Sequence, residues 1–276
     1  MVDPGRHPTA SSTPAITQAR TNIPPPYQTP ITPVQPRIRR TAPVLASAPR
    51  MVTILHCDDA LVAVDKPAGV AVHRGWADDD DVLLQRVRDQ IGAWVYPVHR
   101  LDRGASGVLV FARSSAHAAA LQAQWTAGTV AKRYLAIVRG APPDAAVIDH
   151  DIPRSEDGPR VPAVTAIRTL HRAGRYAVVA AAPRTGRLHQ IRRHLKHISC
   201  PLIGDVRYGK GEHNRLFRER HDLHRLALHA RALRIVHPGT GLTLDFTAPV
   251  PPDLAHALAG LDTPRAVLED VLADMS

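Results

Sequence analysis

Cysteine is scarce: Cys57 and Cys200 are the only two among 276 residues. That excludes a disulfide framework and a four-cysteine zinc site. Two isolated cysteines fit a reducing, cytoplasmic interior. No run of about 18 consecutive apolar residues is present, so no membrane-spanning helix is expected. No charged start followed by an apolar stretch and a small-residue cleavage site opens the chain, so no secretory signal is expected. Lysine is nearly absent too, with 4 residues against 31 arginines.

Several catalytic signatures are also missing. Gly204 to Lys210 has phosphate-loop spacing, but Gly211 stands where a serine or threonine must ligand magnesium. Histidines are plentiful, yet no His-Glu-x-x-His occurs, and they lie among arginines and lysines that repel a cation. A zinc deaminase needs His-x-Glu and Cys-x-x-Cys, and both are absent. There is no Gly-x-Ser-x-Gly elbow. No metal site is expected.

What the chain does have is positive charge. Arginine plus lysine number 35 and acids 25, a formal charge of +10. A basic surface of that size suits a polyanion, nucleic acid first. Residues 1–50 carry 11 of the 25 prolines, six arginines and a single acid, Asp3. Proline removes donors and blocks helix, and the few apolar residues there show no period. Such a segment cannot bury enough surface to offset its chain entropy, so residues 1–50 read as a disordered extension.

From Met51 onward the pattern is that of one domain, residues 51–276. Short β-branched runs at Met51–Leu55 and Leu61–Val64 flank a turn at Asp58 and Asp59. Val82, Leu83, Val87 and Ile91 mark one face of a helix, with Asp79–Asp81 at its start. Val108–Ala112 is apolar throughout, as a buried strand would be. A helix runs from Ser114 or Ser115 to about Trp125 and ends at Gly128. Strands follow at Tyr134–Val138, Val164–Leu170 and Tyr176–Ala181, with an exposed connection from Pro142 to Pro162 between the first two. A helix covers Leu188–Ser199. A hairpin joins Leu233–Val236 to Leu242–Phe246, and a short helix closes the chain. Strands and helices mix without regular βαβ alternation. The expected fold is α+β, with a mixed or antiparallel central sheet flanked by helices.

Three segments could carry chemistry. In His99-Arg100-Leu101-Asp102-Arg103, a carboxylate between two arginines should stay ionised. Leu101 turns inward while Arg100 and Arg103 face a ligand, which suits an anionic, sugar-containing substrate. In Arg184 to Lys196, the residues Leu188, Ile191, Leu195 and Ile198 form one apolar stripe. His189, Arg192, Arg193 and Lys196 occupy the adjoining face. Thr185 and Gly186 precede the helix, where free N–H groups favour anions, and Arg187 at its mouth could reach a carboxylate. Tyr134, on a strand after Lys132 and Arg133, could stack on a base. A surface loop, a solvated helix face and a core tyrosine would read the same from residue types alone.

Together, and in order, these segments resemble the RluA family of RNA pseudouridine synthases. The resemblance includes Asp65-Lys66-Pro67-Ala68-Gly69, where the family usually has Asn in place of Asp65. It continues through His99–Asp102 with Ser106-Gly107, through Lys132-Arg133-Tyr134 and Thr185–Arg192, and through Pro201–Asp205. It is closer to one branch, the TruC-like tRNA pseudouridine synthases, through Val72–Trp76, Val87–Gly92, Pro162–Thr165 and Arg192–Leu195. That branch is known for the uridine at position 65 in the T-stem of tRNA; ribosomal RNA is the alternative substrate within the family.

The resemblance implies the pseudouridine synthase fold and an isomerisation without cofactor, in a monomer that has no membrane partner. Asp102 would be the essential carboxylate, whether it attacks the ribose, attacks the base or removes a proton. Arg187 would pair with Asp102 and hold it ionised. Tyr134 would stack on the target base and take part in removing the C5 proton. Arg100 would fill the place of the flipped nucleotide, and Arg192, Arg193 and Lys196 would contact phosphates, with Arg103 and His189 beside them. A non-catalytic RNA-binding protein and a base-excising glycosylase are the competing readings from other classes.

Overall fold

The computed structural model describes residues 51–74, 81–155 and 158–273. Residues 1–50, Gly75, Trp76, Asp79 and Asp80, on which some readings above fall, lie outside the described residues.

The chain opens with strands β1 (Thr53–Cys57) and β2 (Leu61–Lys66), then helix α1 (Leu83–Ile91), β3 (Tyr96–Pro97), β4 (Ser106–Ala112) and α2 (Ser115–Ala127). Next come β5 (Ala131–Arg139), β6 (Ala145–Asp149), β7 (Ile152–Pro153), β8 (Arg160–Val161), β9 (Val164–Ala173) and β10 (Tyr176–Pro183). Helices α3 (Gln190–His197) and α4 (Gly211–His221) precede β11 (Leu228–Val236), β12 (Thr243–Thr247), α5 (Pro252–Ala259) and α6 (Arg265–Ala273). None of the described helices is long and apolar enough to cross a membrane.

The main sheet runs β1-β2-β4-β11-β5-β10-β9-β6, with β3 on β4 and β12 on β11. Every pairing in it is antiparallel except β4 with β11. That parallel contact is short: Ser106 lies opposite His229 and Gly107 opposite Ala230. The mixed sheet expected from the sequence is thus two antiparallel halves joined at one narrow seam.

The composition of β10 shows why helices cover both faces. Alternate residues Ala177, Val179 and Ala181 pack with Ile191 and Leu195 of α3 on one face. Tyr176, Val178 and Ala180 pack with Phe217, Leu254 and Val271 of α4, α5 and α6 on the other. This is the period of two that a strand imposes. Each large apolar side chain fully buried here contributes about 1.5–3 kcal/mol. All seven residues of β4 are buried, which accounts for its unbroken apolar run.

The helix α2 begins and ends as expected, with the Ser114 side chain accepting the His117 N–H and Gly128 in the left-handed region at φ 71°. The Pro142–Pro162 stretch differs from the exposed connection expected. It contains edge strand β6, paired with β9, and the small β7–β8 ladder, and it buries Ile148 and Ile152. Prolines and charges on either side hid a short alternating run. Helix α4 was not legible either, because its sequence GEHNRLFRERH buries Phe217 among mostly polar residues.

At the seam, Gly107 has φ 111°, and a Cβ there would stand 2.2 Å from the Ala230 carbonyl oxygen. Only glycine allows both the dihedral and the approach. We expect Gly107→Ala to destabilise the fold by about 3 kcal/mol or more. Urea unfolding reads this as a lower midpoint; an unchanged midpoint would mean that the seam tolerates a side chain.

Candidate active site

Asp102 stands in the loop that enters β4 beside the seam. The loop is pinned from several directions. The Val110 N–H donates to His99 Nε2 at 3.0 Å, and the His99 ring stacks on Trp125 with centroids 4.6 Å apart. Burial pulls the His99 imidazole down to about 3, and the nearby Lys132 charge adds to this, so it stays neutral and accepts. Leu101 is buried, while Arg100 and Arg103 are exposed, as the sequence suggested. The Ala105 N–H donates to the Asp102 carbonyl at 3.0 Å, closing a tight turn.

A buried lysine holds the same turn from below. Lys66 is fully buried, and its Nζ donates to the carbonyls of Pro67, Arg103 and Ala105 at 2.9, 3.2 and 2.7 Å. Burial draws its ammonium down to about 7, against the pull of the Asp102 charge. Ser106 is held in turn: its Oγ lies 2.9 Å from His229 Nδ1, and Arg225 Nη1 donates to it at 3.1 Å.

The guanidinium paired with Asp102 is that of Arg192, not Arg187. Arg192 Nη1 donates to Asp102 Oδ2 at 3.0 Å. The other edge of the same guanidinium is bidentate on Asp205, with Nε to Oδ2 at 2.7 Å and Nη2 to Oδ1 at 2.9 Å. Arg187 instead sends Nε to the Pro162 carbonyl at 3.2 Å and is exposed. The reason lies at the start of α3. The buried Gln190 side chain accepts the Arg187 N–H and the Thr185 hydroxyl, so the helix begins at Gln190, later than the sequence suggested. The Arg187 N–H is thereby committed and not free for an anion. Arg187 is left in the turn before the helix, and Arg192 in its first turn faces the loop.

This pair is only partly wet. The Asp102 side chain keeps 18% of its surface exposed, Arg192 11% and Asp205 none. Charge-assisted bonds of this kind are about twice as strong as neutral ones. The Arg192 guanidinium is held charged: burial opposes this, and the bonds and charges of Asp205 and Asp102 outweigh it.

Tyr134, on β5 opposite Ala230, is half-buried between two core clusters beside the same carboxylate. Burial, and then the Asp102 charge, push its phenol well above the usual tyrosine range. It therefore stays protonated at any physiological pH. Its neighbour Lys132 donates to the Thr185 carbonyl at 3.1 Å, tying β5 to the turn before α3. Burial lowers Lys132 to about 8.

His189, with φ 54°, places Nε2 3.9 Å from Asp102 Oδ1. Its Nδ1 lies 3.2 Å from the Tyr208 hydroxyl, which also accepts from Arg193 Nε at 3.0 Å. Burial lowers the His189 imidazole, the Asp102 charge opposes it, and Arg192, Arg193 and Arg207 add to the lowering. Around the Tyr208 ring stand Arg192, Arg193, Lys196 and Arg207, with charged groups 5.1, 5.8, 6.0 and 5.7 Å from its centroid. Arg193 also donates to the Pro153 carbonyl at 2.6 Å, which anchors the β7 segment to α3.

Of the residues singled out in the sequence, Asp102, Tyr134, His189 and Arg192 meet at one point, and Arg193 and Lys196 extend from it along α3. Sequence reasoning missed Asp205, Lys66 and Tyr208 as parts of this site. All three stood in segments quoted for the family resemblance or next to them, but no local pattern marked them as neighbours of Asp102.

Known proteins share this sequence pattern and fold. A family profile described as RNA pseudouridylate synthase matches residues 60–197. The chain is similar to tRNA pseudouridine synthase C of Vibrio cholerae, 42% identical over 213 residues, covering 69% of this chain and 87% of that one. It is similar to the same-named protein of Salmonella typhi, 43% identical over 221 residues, covering 72% and 85%. Among solved structures, human RNA pseudouridylate synthase domain containing 4 superposes with a TM-score of 0.63 at 30% identity, covering 76% of this chain and 93% of that one.

Asp65 lines a cleft of about 330 Å³ together with Ser106, Arg225 and Asp253; Asp102 is not among its walls. Burial raises the Asp65 carboxyl from 3.8 to about 6, against the charges of Arg225 and Lys66. The folded chain thus holds a proton between about pH 4 and 6 that the unfolded chain has released. Stability from this group is complete below that window and is lost as pH rises through it. We expect the stability gain of Asp65→Asn over the parent to grow by about 2 kcal/mol between pH 4 and 6 and then level off. A gain independent of pH in urea titrations would contradict this.

Proposed function

This chain belongs to the RNA pseudouridylate synthase family, and from that premise we propose that it isomerises one specific uridine of tRNA, in the T-stem, within the cytoplasm. The similarity to proteins named tRNA pseudouridine synthase C supports tRNA over ribosomal RNA. The observation that carries the reading is the Asp102 carboxylate, held by Arg192 at a partly open position beside a neutral tyrosine.

The reaction breaks the N1–C1′ bond of uridine, turns the detached base, and joins C5 to C1′. The C5 proton leaves and N1 gains one, so no electrons are exchanged and no cofactor is required. A uridine in a duplex must first leave its stack, at a cost of a few kcal/mol. Arg100, exposed two residues before Asp102, fills the vacated space. The Tyr134 ring stacks on the extruded base, and its phenol is protonated before RNA arrives. Asp102 then stabilises or captures the electron-poor sugar or base, chemistry that a carboxylate performs well at a glycosidic centre. Arg193, Lys196 and Arg103 contact phosphates, and counterion release there offsets part of the cost of extrusion. Arg192 is spent on two carboxylates and serves the catalytic group, not the backbone of the RNA.

Incubating the protein with uridine-labelled tRNA tests the reading. Pseudouridine at a single T-stem position is the expected product. Free uracil would indicate a glycosylase, unchanged tRNA a binding protein, and modification of ribosomal RNA alone a different substrate. Asp102→Asn is expected to abolish turnover while tRNA affinity stays within about threefold. Arg193→Ala and Lys196→Ala should each reduce the salt slope of binding by about one. Unchanged slopes in filter-binding titrations would remove α3 from the RNA interface.

A further inference from the structure

The carboxylate of Asp205 lies beside the site with no side-chain exposure. It touches no solvent and so touches no RNA, yet it makes four bonds. Two go to the Arg192 guanidinium. Two are accepted by Oδ1 from the backbone N–H groups of Arg207 and Tyr208, both at 2.9 Å. Burial works against the ionised form, but the Arg192 bonds and these N–H groups prevail and hold the carboxyl below the usual range.

The turn that carries Asp205 is built to be rigid. Buried Asn214 on α4 accepts the Gly204 N–H at 2.8 Å and donates to the Asp205 carbonyl at 3.0 Å. At Gly204, φ is 76°, and an added Cβ would stand 1.9 Å from the Arg225 carbonyl oxygen. At Gly209 it would stand 2.4 Å from the Asp205 carbonyl oxygen. The backbone at both ends of the turn is therefore pressed against its neighbours, and the position of the carboxylate is set by α4 and not by Asp102.

We propose that Asp205 is a positioning residue for the isomerisation: it fixes the Arg192 guanidinium so that its one remaining edge is aimed at Asp102, whether or not Asp102 is there to receive it. An arginine side chain is long and has many rotamers, and ordering it costs up to about 2 kcal/mol. Asp205 meets that cost in the free enzyme, before RNA arrives. The carboxylate that acts on the nucleoside is then held by a partner that does not move when the base enters. The same carboxylate ties down the Arg207–Tyr208 backbone, so the ring that the cations of α3 surround and the geometry of Asp102 share one anchor.

The role in turnover rests on the proposed reaction, and two measurements separate its failure from failure of that reading. In Asp205→Asn the amide oxygen can still accept both backbone N–H groups, while its NH₂ faces the guanidinium and breaks the bidentate pair. Single-turnover rates on tRNA should fall by about 10–100-fold, the cost of a small misplacement of a reacting group. Affinity for tRNA should stay within about threefold, with rate and affinity both read well below the variant's own melting transition. A rate within about threefold of the parent would overturn the proposal, as would a rate loss matched by lost RNA binding. The second measurement needs no turnover and no Asp205 variant. In ¹H–¹⁵N spectra, Arg192 Nε–H, assigned by its disappearance in Arg192→Lys, should be resolved and slowly exchanging in the parent and equally so in Asp102→Asn. Its collapse into the averaged arginine signals in Asp102→Asn would show that Asp102, not Asp205, orders the guanidinium. A parent protein inactive on tRNA would remove the proposed reaction and leave this second result standing alone.

Discussion

One guanidinium shared by two carboxylates organises this molecule's chemistry. Arg192 spans Asp205, which has no exposure, and Asp102, which keeps part of its surface open. Isolated, either acid would be costly to keep ionised where it stands, and a lone buried arginine would be costlier still. Together they satisfy most of each other's bonding capacity. The asymmetry of exposure gives them different tasks. The closed carboxylate supplies structure, and the open one faces what binds. A salt bridge on the surface would contribute little and would rearrange freely; this one is placed where side chains have little freedom.

The sheet explains why such a pair can form at all. Its two antiparallel halves meet through only two parallel residue pairs, His229 with Ser106 and Ala230 with Gly107. Around that narrow join the loop from the first half, carrying Asp102, comes beside Tyr134 and helix α3 from the second. The join depends on close backbone approach, which Gly107 allows. Lys66 ties two carbonyls of the Asp102 loop, those of Arg103 and Ala105, to that of Pro67. Catalytic placement here rests on backbone groups held by buried side chains.

How much of this was legible in the sequence differed by kind. The fold class followed from the mixture of strand and helix periods, and α2 followed from Ser114 and Gly128, whose local chemistry acts without help from the rest of the chain. The importance of Asp102 was legible from its flanking arginines and from the family resemblance. The identity of its partner was not. Residues 184–193 hold four arginines, and spacing alone cannot tell which one faces a loop 90 residues earlier. That was decided by Gln190, whose side chain accepts the Arg187 N–H and so sets where the helix begins. Strand β6 was missed for a related reason: its pairing with β9 is a long-range fact, and its own residues, AAVID, carry little preference. Asp205 showed only as part of a short motif, since nothing local reveals that a carboxylate will be sealed under an arginine from another element.

The central claim is that Arg192, and not Arg187, is the cation on which Asp102 depends. The most direct test is the single-turnover rate of pseudouridine formation in Arg192→Met and in Arg187→Met, each at saturating tRNA. The account predicts a loss of at least about 100-fold for Arg192→Met and a rate within about tenfold of the parent for Arg187→Met. The reverse order would contradict it.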